Sequence, residues 1–146
     1  MQKLMVMVTF LCILSAPAIA QQGEIFAPEG KAIRGYDVVA FFKQGKPVPG
    51  FDSLHYAWKQ AEWLFATQED MDAFRANPEA YAPQFGGYCA YGTAAGHKAA
   101  TETDTWTITD GKLYFNYNQK VKEAWMKKQA ELIQKANENW LKIKDQ

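Results

Sequence analysis

Cys89 and the two histidines are the side chains of this sequence best suited to metal or thiol chemistry. Cys89 and His97 stand eight positions apart with two glycines between them, and His55 lies earlier in the chain. A thiolate and imidazoles can bind Cu(I) or Zn(II), with a methionine such as Met71 or Met126 as a further ligand. The spacing matches no standard zinc pattern, so such a site would need ligands from elsewhere in the fold.

Each of these residues also has an interpretation without a metal. Cys89 can be a small buried hydrophobe, a metal ligand, or a reactive or intermolecular thiol. His97 lies between Gly96 and Lys98, where a solvated side chain is expected. His55 stands at the expected start of a strand and suits a half-buried, hydrogen-bonded histidine. The sequence leaves these alternatives open.

Three tyrosines and an aspartate form a second candidate site. Tyr36, Asp37, Tyr88 and Tyr91 could line a pocket for a small ligand. Packing in a core explains the tyrosines equally well. Asp37 can instead cap the segment that follows it, and capping needs no ligand.

The sequence contains none of the common catalytic motifs. There is no Gly-x-Ser-x-Gly elbow, phosphate-binding glycine loop, His-Glu-x-x-His motif or dinucleotide fingerprint. Cys89 and His97 lack a recognisable third residue to orient them as a nucleophile and base. The 16 basic and 16 acidic residues balance, which disfavours nucleic acid and membrane surfaces as partners. We therefore expect a binding module for a metal ion, a small ligand or a protein, rather than an enzyme.

The first 20 residues are typical of a secretory signal peptide. Lys3 precedes the apolar run Leu4–Leu14, which is too short to span a bilayer comfortably, and Ala18–Ala20 supplies the small residues that a signal peptidase requires. We expect cleavage after Ala20. The mature protein would then be exported, either to the periplasm or out of the cell. Cys12 would leave with the segment, so Cys89 would have no partner for an intramolecular disulfide.

The remaining chain predicts two hairpins. Residues 21–32 contain loop signals and are expected to form a loosely held leader. The aromatic runs His55–Trp58 and Trp63–Ala66 predict a hairpin with a four-residue connection. Asp110-Gly111 predicts a second hairpin with a two-residue turn, because both residues tolerate positive φ.

Helix signals lie between and after these hairpins. Thr67 predicts a cap for a helix from about Gln68 to Ala76, and Asn77-Pro78 predicts its end and a further helical turn. The run Val38–Phe42 fits a helix or a strand, and a helix is favoured around Cys89. From Asn118, apolar residues at helical spacing predict one long amphipathic helix. We expect its Trp125 and Trp140 to pack on the hairpin faces that carry Tyr56, Trp58, Trp106 and Ile108, completing one core.

These elements predict a single α+β domain over residues 33–146. It consists of a small antiparallel sheet built from hairpins, packed with short helices and a long C-terminal amphipathic helix. The elements show no regular strand–helix–strand alternation, which argues against a parallel sheet.

Several motifs in the chain resemble those of exported proteins with a YHS domain. They are Gly35-Tyr36-Asp37, Trp63-Leu64-Phe65, Phe74–Tyr81, Gly86–Tyr91 and Asp110–Asn118. The resemblance places the YHS module at about Arg34 to Pro83 and a family-specific extension at residues 84–146. It implies a role in handling transition metals, which in related modules depends on paired cysteines. This chain has Ala66 and Asp70 where those cysteines would stand, so the resemblance does not supply the two thiolates.

Overall fold

The computed structural model describes residues 22–146, and the expected signal peptide lies outside this range. Within it, six α-helices accompany two separate two-stranded antiparallel sheets, which confirms the α+β class. In chain order the elements are α1 (Val38–Lys43), β1 (Phe51–Trp58), β2 (Ala61–Phe65), α2 (Gln68–Ala76), α3 (Pro78–Tyr81), α4 (Ala90–Ala94), β3 (Thr107–Thr109), β4 (Lys112–Tyr114), α5 (Gln119–Lys127) and α6 (Gln129–Ile143).

Both hairpins reverse through two residues with left-handed backbone. The φ angles are 49° and 59° at residues 59–60, and 52° and 73° at residues 110–111. Such turns match the twist of paired strands. The β3–β4 turn is therefore confirmed. The β1–β2 connection is shorter than the four residues expected, because Ala61 already pairs with Trp58.

Side chains cap the start of four helices. Asp37, Thr67, Cys89 and Asn118 accept hydrogen bonds from the first main-chain N–H groups of α1, α2, α4 and α5. A cap satisfies donors that have no partner inside the helix. The expected bounds of α2 are confirmed, as is a new helical turn that begins at Pro78.

The C-terminal helix is interrupted, which differs from the one long helix expected. Lys128 has φ −134° and ψ 33°, so α5 ends before it and α6 begins after it. The Lys128 N–H still donates to the Trp125 carbonyl oxygen at 3.1 Å. Neither glycine nor proline marks this position, and the apolar spacing runs across it. The sequence therefore carried no signal for the break.

The apolar side chains form two clusters rather than the single core expected. The first contains Ile25, Ala32, Ile33, Val38, Val39, Phe41, Ala61, Trp63, Phe65, Phe74, Leu113 and Phe115. The second contains Phe85, Ala90, Tyr114, Trp125 and Ala136, with Trp140 packed against it. Successive side chains of a strand point to opposite faces. Strand β4 therefore gives Leu113 to the first cluster and Tyr114 to the second. Helices α5 and α6 pack on the second cluster, whereas the expected partners Tyr56, Trp58, Trp106 and Ile108 pack against the first.

The N-terminal segment, residues 22–32, packs onto the domain and is not the loosely held leader expected. Ile25 is buried, and the Phe26 N–H donates to the Gly86 carbonyl oxygen at 2.8 Å. A Cβ at Gly86 would lie 1.8 Å from the Glu24 carbonyl oxygen, and Gly86 has φ 61°. Only glycine allows this close approach. Glycine and proline in the segment indicate a loop, and such signals do not show whether a loop docks.

We expect Gly86→Ala to displace the N-terminal segment. The substitution should destabilise the fold by more than the ~1 kcal/mol that a left-handed φ alone costs, because the added methyl group overlaps the Glu24 main chain. Urea unfolding measures the loss, and limited proteolysis measures cleavage within residues 22–32.

Gly111→Ala is the matched control, since Gly111 has φ 73° but no atom within 4 Å of an added Cβ. Equal destabilisation by the two substitutions, with no increase in cleavage for Gly86→Ala, would contradict the docking described.

Candidate functional site

The Cys89 thiol is part of the local structure at the start of α4. Cys89 is 2% exposed. Its Sγ accepts a hydrogen bond from the Gly92 N–H at 3.4 Å and donates to Asn116 Oδ1 at 3.6 Å. The same Asn116 oxygen accepts from the Tyr91 N–H at 3.2 Å. The thiol therefore caps a helix and is linked to the buried Asn116.

The two histidines lie in different parts of the fold. His97 is exposed, and a Cβ at Gly92 would lie 3.4 Å from its Nε2. Since the Gly92 N–H also meets the sulfur of Cys89, the structure places Cys89 and His97 around the same glycine. His55 lies on β1, is exposed, and pairs with Glu62 across the hairpin. A histidine with a hydrogen-bond partner was expected there, although this one is not half-buried.

The described residues bring no set of candidate metal ligands together. Within residues 22–146, no three His, Cys, Asp or Glu side chains are placed to hold a metal ion. Of the two candidate methionines, Met71 packs on the first apolar cluster and the Met126 sulfur accepts from Gln129. Asp70, at the second expected cysteine position, is bound to Lys43 at 2.9 Å.

The four residues of the expected pocket have different contacts and exposures in the structure. Tyr36 forms a bridge with the loop before β1, and Asp37 is buried as the cap of α1. The Tyr88 hydroxyl donates to the Gly23 carbonyl oxygen at 2.9 Å, whereas Tyr91 is 40% exposed. None of the four lines either of the two cavities described below.

Two adjoining cavities form a groove that we call the Lys59 groove. Its walls come from the N-terminal segment, the turn between β1 and β2, the chain around Phe85 and the end of α6. The larger cavity has a volume of about 540 Å³ and a mainly polar lining. The smaller, of about 140 Å³, is lined by Trp58, Phe85 and Trp140 among others. Both include Glu24 and Lys59 in their lining.

Lys59 is held in place at the junction of the two cavities. Its ammonium group lies 2.8 Å from a Glu24 oxygen and 3.7 Å from a Glu79 oxygen. It also lies 4.8 Å from the centre of the Trp58 ring, within cation–π range. Partial burial opposes the charge of Lys59, but the hydrogen bond and charge of Glu24 raise its pKa above the usual lysine value. Lys59 therefore stays charged and paired.

Lys98 joins the N-terminal segment to the end of α6 beside the groove. Its ammonium nitrogen lies 2.8 to 3.1 Å from four main-chain carbonyl oxygens. These belong to Gln22, Gly23, Lys144 and Gln146. It also lies 5.3 Å from the Tyr88 ring centre and 5.7 Å from that of Trp140. Burial lowers the pKa of Lys98, as expected for a lysine that exchanges water for carbonyl oxygens.

A pair of buried aspartates holds α1, β2 and α2 together. Asp37 is 0% and Asp70 4% exposed. Asp37 accepts hydrogen bonds from the N–H groups of Val39 at 2.9 Å, Ala40 at 3.2 Å and Ala66 at 2.8 Å. Burial raises the pKa of Asp37 to about 6. The hydrogen bond from the Ala66 N–H acts in the opposite direction, whereas the neighbouring Asp70 carboxyl group adds to the rise. The capping role expected for Asp37 is confirmed.

Comparisons of the chain with family models, with curated proteins and with solved structures find no match. Within residues 22–146, none of the helices combines the length and apolar character needed to cross a membrane. Because no match suggests a function, we base one on three features of the structure. They are the Lys59 groove, the Cys89 thiol that caps α4, and the pair of buried aspartates. The sequence did not reveal the groove, because Glu24, Lys59 and Trp140 come from three distant parts of the chain and share no spacing signal.

We expect the stability of the protein to carry a pH dependence that originates at Asp37. Its pKa rises from 3.8 to about 6 on folding, so the folded state keeps the proton longer than the unfolded state does. The resulting contribution to the free energy of unfolding is fully present below about pH 4 and is lost as the pH rises through about 6. The total loss is on the order of 2–3 kcal/mol. Urea unfolding of the wild type and of Asp37→Asn across this range measures it.

The stability difference, wild type minus Asp37→Asn, should fall as the pH rises, because asparagine does not titrate. Asp104→Asn, at an exposed position, is the control for the loss of one carboxylate. A constant or rising difference for Asp37→Asn would show that burial does not raise its pKa.

Proposed function

We propose that the protein is a binding domain that works without a bound metal ion, with the Lys59 groove as its binding site and Cys89 as a structural thiol. The groove supports the proposal because it is a concave space formed by two adjoining cavities, and ligand sites are concave. Its lining is mainly polar, with Trp58 and Trp140 at one end. Its fixed geometry also suits binding, since ion pairs and ring contacts hold Lys59, Trp58 and Trp140 before any ligand arrives.

The observation that carries the proposal is the environment of the Cys89 sulfur. The sulfur is almost completely buried, accepts from the Gly92 N–H and donates to Asn116. Ligation would require loss of the S–H proton and new ligands close by. Residues 22–146 provide no three-residue ligand group for this.

Export is part of the proposal and rests on the first 20 residues of the sequence. In an oxidising compartment, an exposed thiol is open to oxidation or to pairing with another chain. Burial of Cys89 would protect it in such a compartment. The signal-peptide pattern of the first 20 residues and the resemblance to YHS-domain proteins both favour an exported binding module over an intracellular enzyme.

Copper or zinc handling is the second candidate function, and one contact favours it. Cys89 and His97 both meet Gly92, so a local opening of the loop after α4 would bring a thiol and an imidazole together. The remaining ligands would then come from another chain. This candidate also accounts for the resemblance to metal-associated YHS modules, although the two cysteine positions hold Ala66 and Asp70.

We expect the native thiol to be protected and the protein to bind neither Cu(I) nor Zn(II) stoichiometrically. The test uses the chain from residue 21 under reducing conditions, with a competing chelator for the metals and an aromatic disulfide reagent for the thiol. Cys89 should react slowly in buffer and fully in denaturant, because its sulfur becomes accessible only on unfolding.

Two variants make this test specific. Cys89→Ser keeps an oxygen that can cap α4 and removes the thiolate. Ala95→Cys in the Cys89→Ser background places a thiol at an exposed position just after α4, and it should react at once. Stoichiometric metal binding by the wild type that disappears in Cys89→Ser would overturn the proposal and establish the metal-handling alternative.

A further inference from the structure

We propose that Met126 is a reversible oxidation site, at which a peroxide converts the thioether to a sulfoxide that the Gln129 side-chain amide binds. The inference is independent of the proposed function, because it concerns neither the Lys59 groove nor a metal at Cys89. Three features of the structure support it: the exposure of the Met126 side chain, the amide that donates to its sulfur, and the position of both residues at the break between α5 and α6.

Residues 22–146 contain three sulfur atoms, and only one of them belongs to an exposed residue. Cys89 is 2% exposed, and Met71 packs against the first apolar cluster. Met126 is 48% exposed and belongs to neither apolar cluster. Oxidation of a sulfur-containing side chain depends on its exposure. A peroxide therefore reaches Met126 first, and because this side chain lies outside both clusters, its oxidation leaves the apolar packing in place.

The side-chain amide of Gln129 already donates to the Met126 sulfur. Its nitrogen lies 3.5 Å from Met126 Sδ and 2.9 Å from Thr109 Oγ1. An amide nitrogen carries two hydrogens, so each acceptor can receive one of them. A thioether sulfur is a weak acceptor, whereas oxidation makes the side chain polar by adding an oxygen that accepts strongly. Oxidation therefore strengthens the contact with Gln129 without displacing Thr109.

The contact between Met126 and Gln129 spans the break in the C-terminal helical region. Met126 lies in the last turn of α5, Gln129 is the first residue of α6, and Lys128 between them has non-helical backbone. Thr109, the other partner of the Gln129 amide, is the last residue of β3. One amide therefore connects α5, α6 and the β3–β4 hairpin. Because oxidation strengthens one of its two bonds, the oxidation state of Met126 affects how firmly these elements are held together.

The oxidation and its reversal need only hydrogen peroxide and a dithiol. The Met126 sulfur attacks one peroxide oxygen, the O–O bond breaks, and an S–O bond forms. The sulfur loses two electrons, and the second peroxide oxygen takes the proton of the first and leaves as water. In the reverse step a dithiol gives two electrons and two protons, becomes a disulfide, and releases the sulfoxide oxygen as water. Methionine sulfoxide reductases carry out this step, and the exposed position of Met126 makes it accessible to them.

The experiment treats the chain from residue 21 with hydrogen peroxide and locates the added oxygen by mass spectrometry of its peptides. In buffer, Met126 should oxidise roughly tenfold or more faster than Met71, because only Met126 is exposed in the folded protein. In denaturant the two rates should become similar. Met126→Leu should take up no oxygen in the time that the wild type needs to take up one. Dithiothreitol with two sulfoxide reductases, one for each epimer, should remove the oxygen.

Two glutamine variants test the role of the Gln129 amide. Gln129→Glu removes both amide hydrogens and keeps the side-chain length, and Gln134→Glu makes the same change at an exposed position of α6. In the wild type and in Gln134→Glu, oxidation should preserve or raise the midpoint of urea unfolding. In Gln129→Glu it should lower the midpoint, because the carboxylate has no hydrogen to donate and repels the sulfoxide oxygen. Peroxide-treated Met126→Leu measures any effect of oxidation elsewhere in the chain.

Three results would overturn the inference. They are oxidation of Met71 as fast as that of Met126 in the folded protein, a sulfoxide that the reductases do not remove, and a change of midpoint on oxidation that is the same in Gln129→Glu as in the wild type. None of them bears on the Lys59 groove or on metal binding by Cys89, so the proposed function is tested separately.

Discussion

The close approach of the N-terminal segment to Gly86 is the contact on which both the core and the groove depend. Since Gly86 lacks a side chain, the main chain at Glu24 can come near enough for a hydrogen bond between Phe26 and Gly86. Ile25 then completes the first apolar cluster, while Phe85, next to Gly86, belongs to the second. The same contact brings the carboxylate of Glu24 to Lys59. Without it, the groove would lose one wall and Lys59 one of its two partners.

The polar residues of this protein do most of their work by holding elements together. Asp37 connects the start of α1 to the end of β2 through main-chain N–H groups, and Asp70 connects α2 to Lys43. Cys89 and Asn116 connect α4 to the strand region before α5. Burying such groups is favourable only when they are hydrogen-bonded. These groups are therefore fixed by the contacts that stabilise the fold.

Local structure could be predicted from the sequence where one residue type decides the conformation. Thr67 with the carboxylates after it determined where α2 begins, Asn77-Pro78 where it ends, and Asp110-Gly111 a turn that needs positive φ. The break at Lys128 could not be predicted, because neither glycine nor proline marks it and the apolar spacing that favours one helix continues across it. The two-cluster core depends on which face of β4 meets which helix. Periodicity in the sequence shows that a helix or strand has an apolar face, but it does not show which other element packs against that face.

The candidate site was harder to predict for the same reason. The residue types of Cys89, His97 and His55 suggest a metal site, yet the distances between them depend on long-range packing. In the structure Cys89 caps α4 and His55 pairs with Glu62. The groove residues are common types, and only the docking of residues 22–32 brings them together. Loop signals in that segment describe its backbone and not its contacts.

The most direct test of this account is amide hydrogen exchange at Phe26 and Ile33, whose N–H groups bond to Gly86 and to Phe26 respectively. If the N-terminal segment is an integral part of the fold, both amides should exchange as slowly as those of β2, because they open only with the domain. Exchange at the rate of an unstructured chain, with β2 still protected, would show that the segment does not dock and that the groove does not form as described.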